Sequence, residues 1–300
     1  MHPILLEIGK LKVHTFGFIV AIGVIIAALL CRREARRRGL DAELVLDLAV
    51  KTALIGFLGS RMLFVAINWD EYGRAPIEIL KFWKGGLVWY GGFITAFFYA
   101  LRAFKRKQLP VGICADIFAP AVILGLAIGR VGCLMAGDDH GKIVHVPPGQ
   151  EAPWWTLTFP DPPPIGYTVE GHPVDGPTAP LMDRAFRGKP LWPAQPLMTL
   201  GDLAIFGILW SLRKRLAPRP GAIAALLLVL YPIKRLFIEQ IRGDAARKFL
   251  IPDVISTSTA ISIPILIIGI AAFLYILKRP AAEAEPAKVA IAPARKSKKP

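Results

Sequence analysis

Acidic side chains are scarce in this sequence: 22 aspartates and glutamates stand against 37 lysines and arginines, leaving a formal net charge of +15. A balance this basic suits nucleic acid, an anionic membrane surface, or the lysine and arginine excess of cytoplasmic loops, and the placement of the charges must separate these. Cysteine is also sparse. Cys31, Cys114 and Cys133 each lie inside or beside an apolar run, with no spacing suited to a zinc site or a disulfide framework, so they read as small packing residues. The stretch from Met1 to Val13 lacks the basic start and small-residue cleavage site of a removable signal peptide, and the first apolar segment is expected to stay as a membrane span. There is no internal repeat, which weighs against an inverted-repeat transporter.

Apolar residues, by contrast, make up 54% of the 300 positions, above the share of an ordinary soluble domain. Lipid is the implied solvent. A span needs about 20 mostly apolar residues, and seven segments qualify: 16–31, 44–67, 88–104, 111–136, 196–212, 221–241 and 258–277. Short connections rich in lysine and arginine stay in the cytoplasm. Here they follow the first, third, fifth and seventh segments, as in Arg32, Arg33, Arg36 and Arg37, Lys105 to Lys107, Arg213 to Arg215, and Lys278 and Arg279. The pattern predicts an all-α membrane protein of seven transmembrane helices, N-terminus outside and C-terminus cytoplasmic, with residues 1–280 forming one domain. The proline-, glycine- and tryptophan-rich insert 138–195 is expected to be an irregular extracytoplasmic loop or small cap between helices 4 and 5. Residues 281–300 read as a disordered basic cytoplasmic tail.

A charge near the centre of a membrane helix costs roughly 2.5–3.5 kcal/mol on insertion scales, so each one calls for a partner, a cavity or water. The candidates are Asp47, Lys51, Arg61, Asp116, Arg130, Asp138, Lys234, Arg235, Glu239 and Arg242. In the orientation above, Arg61, Arg130, Arg235, Glu239 and Arg242 fall in the outer halves of their spans, and Tyr90 at the outer end of the third. Arg235 and Glu239, four apart, can pair on one helix face, and Arg242 falls on nearly the same stripe. Snorkelling near the interface would explain any one of these arginines. Their concentration at one depth favours an anionic headgroup site, because guanidinium forks match phosphate oxygens. Asp47 and Lys51 read as a local pair, and Asp116 as structural.

The segment G-R-V-G-C-L-M-A-G-D-D-H-G from Gly129 to Gly141 resembles the signature of the prolipoprotein diacylglyceryl transferase family. Further segments resemble that family in the same order: V-H-T-F-G-F from Val13, L-G-S-R ending at Arg61, G-G-L-V-W-Y-G-G ending at Gly92, P-A-Q ending at Gln195, K-R-L-F-I-E-Q-I-R ending at Arg242, and S-T-S-T-A-I-S-I-P from Ser256. The chain departs from the pattern at Phe16 (usually tyrosine), Tyr90 and Trp192 (histidine) and Thr259 (glutamine). Among the motif glycines, Gly129 and Gly132 suit close helix approach, while Gly91 and Gly92 suit helix packing or the approach of backbone or lipid.

The resemblance implies transfer of a diacylglyceryl group from phosphatidylglycerol to the thiol of a lipobox cysteine in a prolipoprotein signal peptide, at the periplasmic face of a bacterial inner membrane. Membrane lipids are the surroundings, and neither nucleic acid, cofactor nor metal is called for. The residues it marks as catalytic are Arg130, Tyr90, Arg235 and Glu239. Arg61, Asp138, Gly91, Gly92, Gly141, Gln195 and Arg242 join Arg130 in substrate binding. Arg130 is expected to hold the phosphate with Arg235 in support, and Glu239 to orient Arg235 or bind glycerol hydroxyls. A phenol accepts a proton readily only where cations favour its anion, so Tyr90 either replaces the histidine or stands where no member has its base. His140 reads as a solvated loop side chain. The alternatives are a catalytically altered lipid-binding paralogue and a transporter of an anionic solute.

Overall fold

The computed structural model describes residues 2, 4–8, 11–81, 86–160, 168–169, 172–173, 184–243, 249–251 and 255–280. Seven long helices account for most of them: α1 Thr15–Arg37, α2 Ala42–Ile67, α4 Trp89–Arg106, α5 Val111–Ala136, α6 Ala194–Leu212, α7 Ala222–Ile241 and α8 Thr257–Lys278, with a single turn, α3 Trp69–Tyr72, after α2. Each long helix falls on one of the seven apolar segments. Five of them, α1, α2, α5, α6 and α8, are long and apolar enough to cross a membrane. The other two carry more charge: Arg102, Lys105 and Arg106 end α4, and Lys234, Arg235 and Glu239 lie in the last turns of α7. Large apolar side chains such as Met62, Phe98, Phe237 and Ile267 stand exposed on the helix surfaces, an inside-out distribution that water would penalise and lipid would not.

Short ribbons accompany the helices, a feature that the apolar pattern did not announce. β1 Ile4–Ile8 pairs with β2 Leu11–His14 just before α1, and β7 Phe249–Ile251 with β8 Ile255–Ser256 just before α8. Within the insert, β3 Leu157–Thr158 pairs with β6 Pro190–Leu191, and β4 Thr168–Val169 with β5 His172–Pro173. Parts of the insert and the whole tail 281–300 lie outside the described residues.

Local chemistry sets the helix ends. Asp41 caps α2 by accepting from the backbone N–H groups of Glu43 and Leu44, both at 3.0 Å. α5 stops at Gly137, which takes the left-handed conformation (φ 77°) common at helix C-termini. Asp116, inside α5, reaches across to the start of α7, accepting from Gly221 N at 2.9 Å and Ala224 N at 3.0 Å; this buried carboxylate does structural work. Asp47 and Lys51 pair at 2.7 Å with both side chains about half exposed.

Long helices consecutive in the chain run antiparallel, and several helix pairs meet through glycine. A Cβ on Gly23 of α1 would lie 3.0 Å from the Gly125 carbonyl of α5, and one on Gly132 of α5 would lie 3.2 Å from the Phe16 ring. Gly129 does not share that role: a Cβ there would meet only Val20, at an ordinary 3.9 Å. Gly56 and Gly59 of α2 face Gly91, Gly92 and Thr95 of α4, so Gly91 and Gly92 serve helix contact. These pairings gather the starts of α1, α4, α6 and α8 with the ends of α2, α5 and α7. The opposite end holds the short arginine- and lysine-rich connections and an apolar cluster of Cys31, Leu48, Phe104, Cys114 and Ile117. There Glu34 pairs with Arg37 at 2.7 Å and Arg213 at 3.3 Å.

Candidate functional site

The expected site residues fall into two groups. Arg130, Asp138, Gly141, Gln195, Arg235, Glu239 and Arg242 come together where α5, α6 and α7 meet the insert, whereas Arg61, Gly91, Gly92 and Tyr90 belong to the α2–α4 side.

The centre of the first group is Asp139, one residue beyond the Asp138 that the sequence singled out. Its carboxylate ion-pairs with Arg130 through one oxygen and with Arg242 at 2.5 Å through the other. A φ of 57° at Asp139, a left-handed conformation that aspartate tolerates better than most residues, turns the chain so that the carboxylate faces back to α5. Burial alone would raise the Asp139 carboxyl, but Arg130 and then Arg242 outweigh it and hold it below the usual carboxylate range. Asp138 contributes otherwise. Its carboxylate accepts from Asp139 N at 2.9 Å, and its carbonyl accepts from Gln195 Nε2 at 2.8 Å, fixing the insert to the first turn of α6.

Arg242 lies just past the end of α7 in extended conformation and is buried. It is not a continuation of the Arg235 stripe: an antiparallel bridge between Gly141 and Arg242 turns it towards Asp139. A Cβ on Gly141 would collide with the Trp192 backbone, 2.8 Å from its carbonyl carbon, so only glycine lets the two strands of the insert close. On α7 itself, Arg235 ion-pairs with Glu239 at 3.2 Å, and Glu239 also accepts from Ser258 of α8 at 2.8 Å.

His140 is not solvated. Its ring is buried at 2% exposure, sits 4.3 Å from the Phe186 ring, and its Nδ1 lies 3.1 Å from the Gly141 carbonyl. The Phe186 turn of the insert explains this, because it folds back over the signature loop.

Arg130 uses only part of its fork. Nη1 faces Asp139 and, at 3.9 Å, Cys133 Sγ; among the described residues no acceptor meets Nε or Nη2. A guanidinium has five N–H donors, so most of this one is open, with the side chain 17% exposed. Sulfur and carboxylate ligand atoms of Cys133, Asp138 and Asp139 lie within 4.8 Å of one another, close enough for a metal ion. The two arginines already bound to Asp139 make that corner a poor cation site.

Below the arginines the sequence reading missed a charge. Asp202 on α6, 1% exposed, binds Lys234 Nζ at 2.5 Å. A lone aspartate within the apolar run 196–212 was the available signal, as was a second aspartate at 139.

On the other side, Arg61 donates from Nε to the Ile79 carbonyl at 3.0 Å, and from its two Nη atoms to those of Gly86 at 3.2 Å and Glu78 at 2.6 Å. Its guanidinium lies 5.1 Å from the centre of the Tyr72 ring. It fastens the α2–α4 connection. Tyr90, half-buried, makes an edge-to-face contact with Trp89 at 5.4 Å; among the described residues it has no hydrogen bond to an arginine. Of the other departures, Trp192 packs on Trp155 at 4.7 Å, Thr259 receives the Ser256 cap of α8, and Phe16 covers Gly132.

Sequence comparison finds relatives along nearly the whole chain. A family model described as prolipoprotein diacylglyceryl transferase matches residues 3–275. Proteins named phosphatidylglycerol–prolipoprotein diacylglyceryl transferase are similar along nearly their whole lengths: one from Trichormus variabilis is 29% identical over 285 residues, 93% of this chain and 91% of that one. Another, from Staphylococcus aureus, is 30% identical over 273 residues, 91% of this chain and 88% of that one. The chain therefore belongs to the prolipoprotein diacylglyceryl transferase family, as a multi-pass membrane protein.

Proposed function

We propose that this chain transfers the diacylglyceryl group of phosphatidylglycerol to the lipobox cysteine thiol of a prolipoprotein, with all seven long helices spanning a bacterial inner membrane and the arginine cluster near its periplasmic face. Two observations support the orientation: the lysine- and arginine-rich connections share one end of the bundle, and the insert and β-ribbons adjoin the other. Positive connections favour the cytoplasmic side.

The observation that carries the reaction is the open fork of Arg130. In the transfer, a sulfur–carbon bond forms at the saturated glyceryl carbon as that carbon's bond to a phosphate oxygen breaks. The freed oxygen gains the proton that the thiol gives up, and glycerol phosphate leaves. Charge grows on the phosphate, where the Nε and Nη2 donors of Arg130 can meet two of its oxygens. Asp139 orients Arg130 from the far side and ties it to Arg242, while Glu239 holds Arg235 against the same cluster. Gln195 and Gly141 hold the two ends of the insert together beside the arginines. Arg61 acts through the α2–α4 connection, and Gly91 and Gly92 keep α4 close to α2, leaving Tyr90 at the edge of the site as a hydrogen-bonding group for the incoming peptide.

The test is complementation. Cells depleted of their own transferase receive this gene, and lipid attachment to a reporter lipoprotein is scored; attachment supports the proposal, and its absence with the protein correctly inserted refutes it.

A further inference from the structure

The Asp202–Lys234 pair has no part in the chemistry above, yet it is built with care. Gly201 makes room for the lysine stem, since a Cβ there would lie 2.8 Å from Lys234 Cδ, and the Lys234 Nζ rests 4.5 Å from the centre of the Tyr231 ring. Asp202 Oδ1 takes the lysine. Asp202 Oδ2 is buried with no hydrogen-bond partner among the described residues. A buried carboxylate oxygen without a donor is costly, and it points to a donor that arrives with a ligand.

The pair also lies at the right depth. Asp202 is eight residues into α6, Arg130 six before the end of α5, and Lys234 seven before the end of α7. At the helical rise all three stand about 9 to 12 Å below the shared end of the bundle. Asp202 is within electrostatic range of Arg130, so a phosphodiester on Arg130 brings its alcohol substituent near Asp202.

We propose that Asp202 reads the headgroup: its free oxygen accepts a hydrogen bond from a hydroxyl of a polyol phosphodiester whose phosphate is held by Arg130, and Lys234 balances the carboxylate so that an ammonium headgroup gains no advantage. This rests on the proposed transferase function and names what selects its lipid. A site built to bond a hydroxyl discriminates strongly against an analogue lacking it, because the buried acceptor is then left unpaired.

The experiment uses the purified full-length protein with a synthetic lipobox peptide. Phosphatidylglycerol and phosphatidylethanol, which keeps the phosphodiester but lacks the hydroxyls, are each assayed as donor and as competitor. Replacing the pair together, Asp202→Leu with Lys234→Met, avoids stranding one buried charge. Asp202→Asn with Lys234→Gln keeps a neutral acceptor. The first variant is expected to lose about ten- to a hundredfold with phosphatidylglycerol, the worth of one hydrogen bond to a charged group, while its handling of phosphatidylethanol changes less than about threefold. The second should keep most of the preference. If the apolar pair leaves the preference unchanged, or weakens both lipids equally, the pair serves only α6–α7 packing and the inference is overturned. A wild-type protein that transfers from neither lipid overturns the transferase reading with it, a result distinct from an active enzyme of unaltered preference.

Discussion

Arg61 and Arg130 are both guanidinium groups held near the same end of a helix bundle, and their partners differ in kind. Arg61 donates to three backbone carbonyls of the connection that follows α2, and is 5% exposed. Arg130 meets one carboxylate through one nitrogen, with Nε and Nη2 facing no described acceptor. Carbonyls can use up a fork without any ligand, so the first arginine builds a loop. A single carboxylate on one flank aims a fork and leaves the rest of it open. Partner chemistry, more than burial or depth, therefore separates a bracing arginine from one whose donors remain for a ligand.

The sharpest way to break this comparison is to keep both charges and remove both forks. Arg130→Lys is expected to lower transfer about a hundredfold or more, the scale for removing a donor aimed at developing charge, with the melting temperature in detergent near wild type. Arg61→Lys should do the reverse. One ammonium cannot serve three carbonyls, and leaving such groups unsatisfied costs about 1–3 kcal/mol, so its melting temperature falls while transfer per folded molecule stays within about threefold. Equal losses of transfer in both variants, at equal stability, would erase the distinction.

Asp139 offers a finer cut between them. Asp139→Asn is expected to reduce transfer about tenfold, as Arg130 loses a charged anchor of the kind worth 1.5–3 kcal/mol at most. The effect on stability depends on pH. Because Arg130 and Arg242 hold the Asp139 carboxyl below its unfolded value, its stabilising contribution is complete above about pH 4, the ordinary aspartate value. It is lost as pH falls through the depressed folded value. Melting curves taken towards acid should fall more steeply for the wild type than for Asp139→Asn; parallel curves would mean that the Asp139 bridge contributes nothing to the fold.

The long helices were legible because lipid imposes a simple rule: each of the seven apolar segments became one helix, including α4 and α7, whose charges make them weak by composition alone. Ribbons such as β1–β2 and β7–β8 were not legible, since two to five paired residues carry too little periodicity. The same limit applies to the site. Spacing of four on a helix points to Arg235 with Glu239, observed at 3.2 Å. No spacing could say that Asp139, and not Asp138, faces the arginines, because a left-handed residue in the loop after α5 decides it. His140 was misread for a related reason: its burial comes from Phe186, 46 positions along the chain, and contacts across an insert leave no local trace. Asp202 was visible as a charge in an apolar run and still escaped notice, because its partner lies on another helix.

The smallest expected effect tests the comparison from its blank side. Lys51 and Asp47 form a well-shaped pair at 2.7 Å, four residues apart on α2, and by distance alone it ranks with the Asp202–Lys234 contact. Lys51 is more than half exposed, however, so water competes for both groups, and holding two mobile side chains together costs what the attraction supplies. The contact is local: among the described residues neither side chain makes a hydrogen bond or ion pair with a second helix. Lys51→Ala should leave both the melting temperature and the transfer rate indistinguishable from wild type. A measurable loss in either would mean that an exposed pair on one helix can matter as much as a buried bridge between two, and partner chemistry would no longer suffice to rank the charges of this protein.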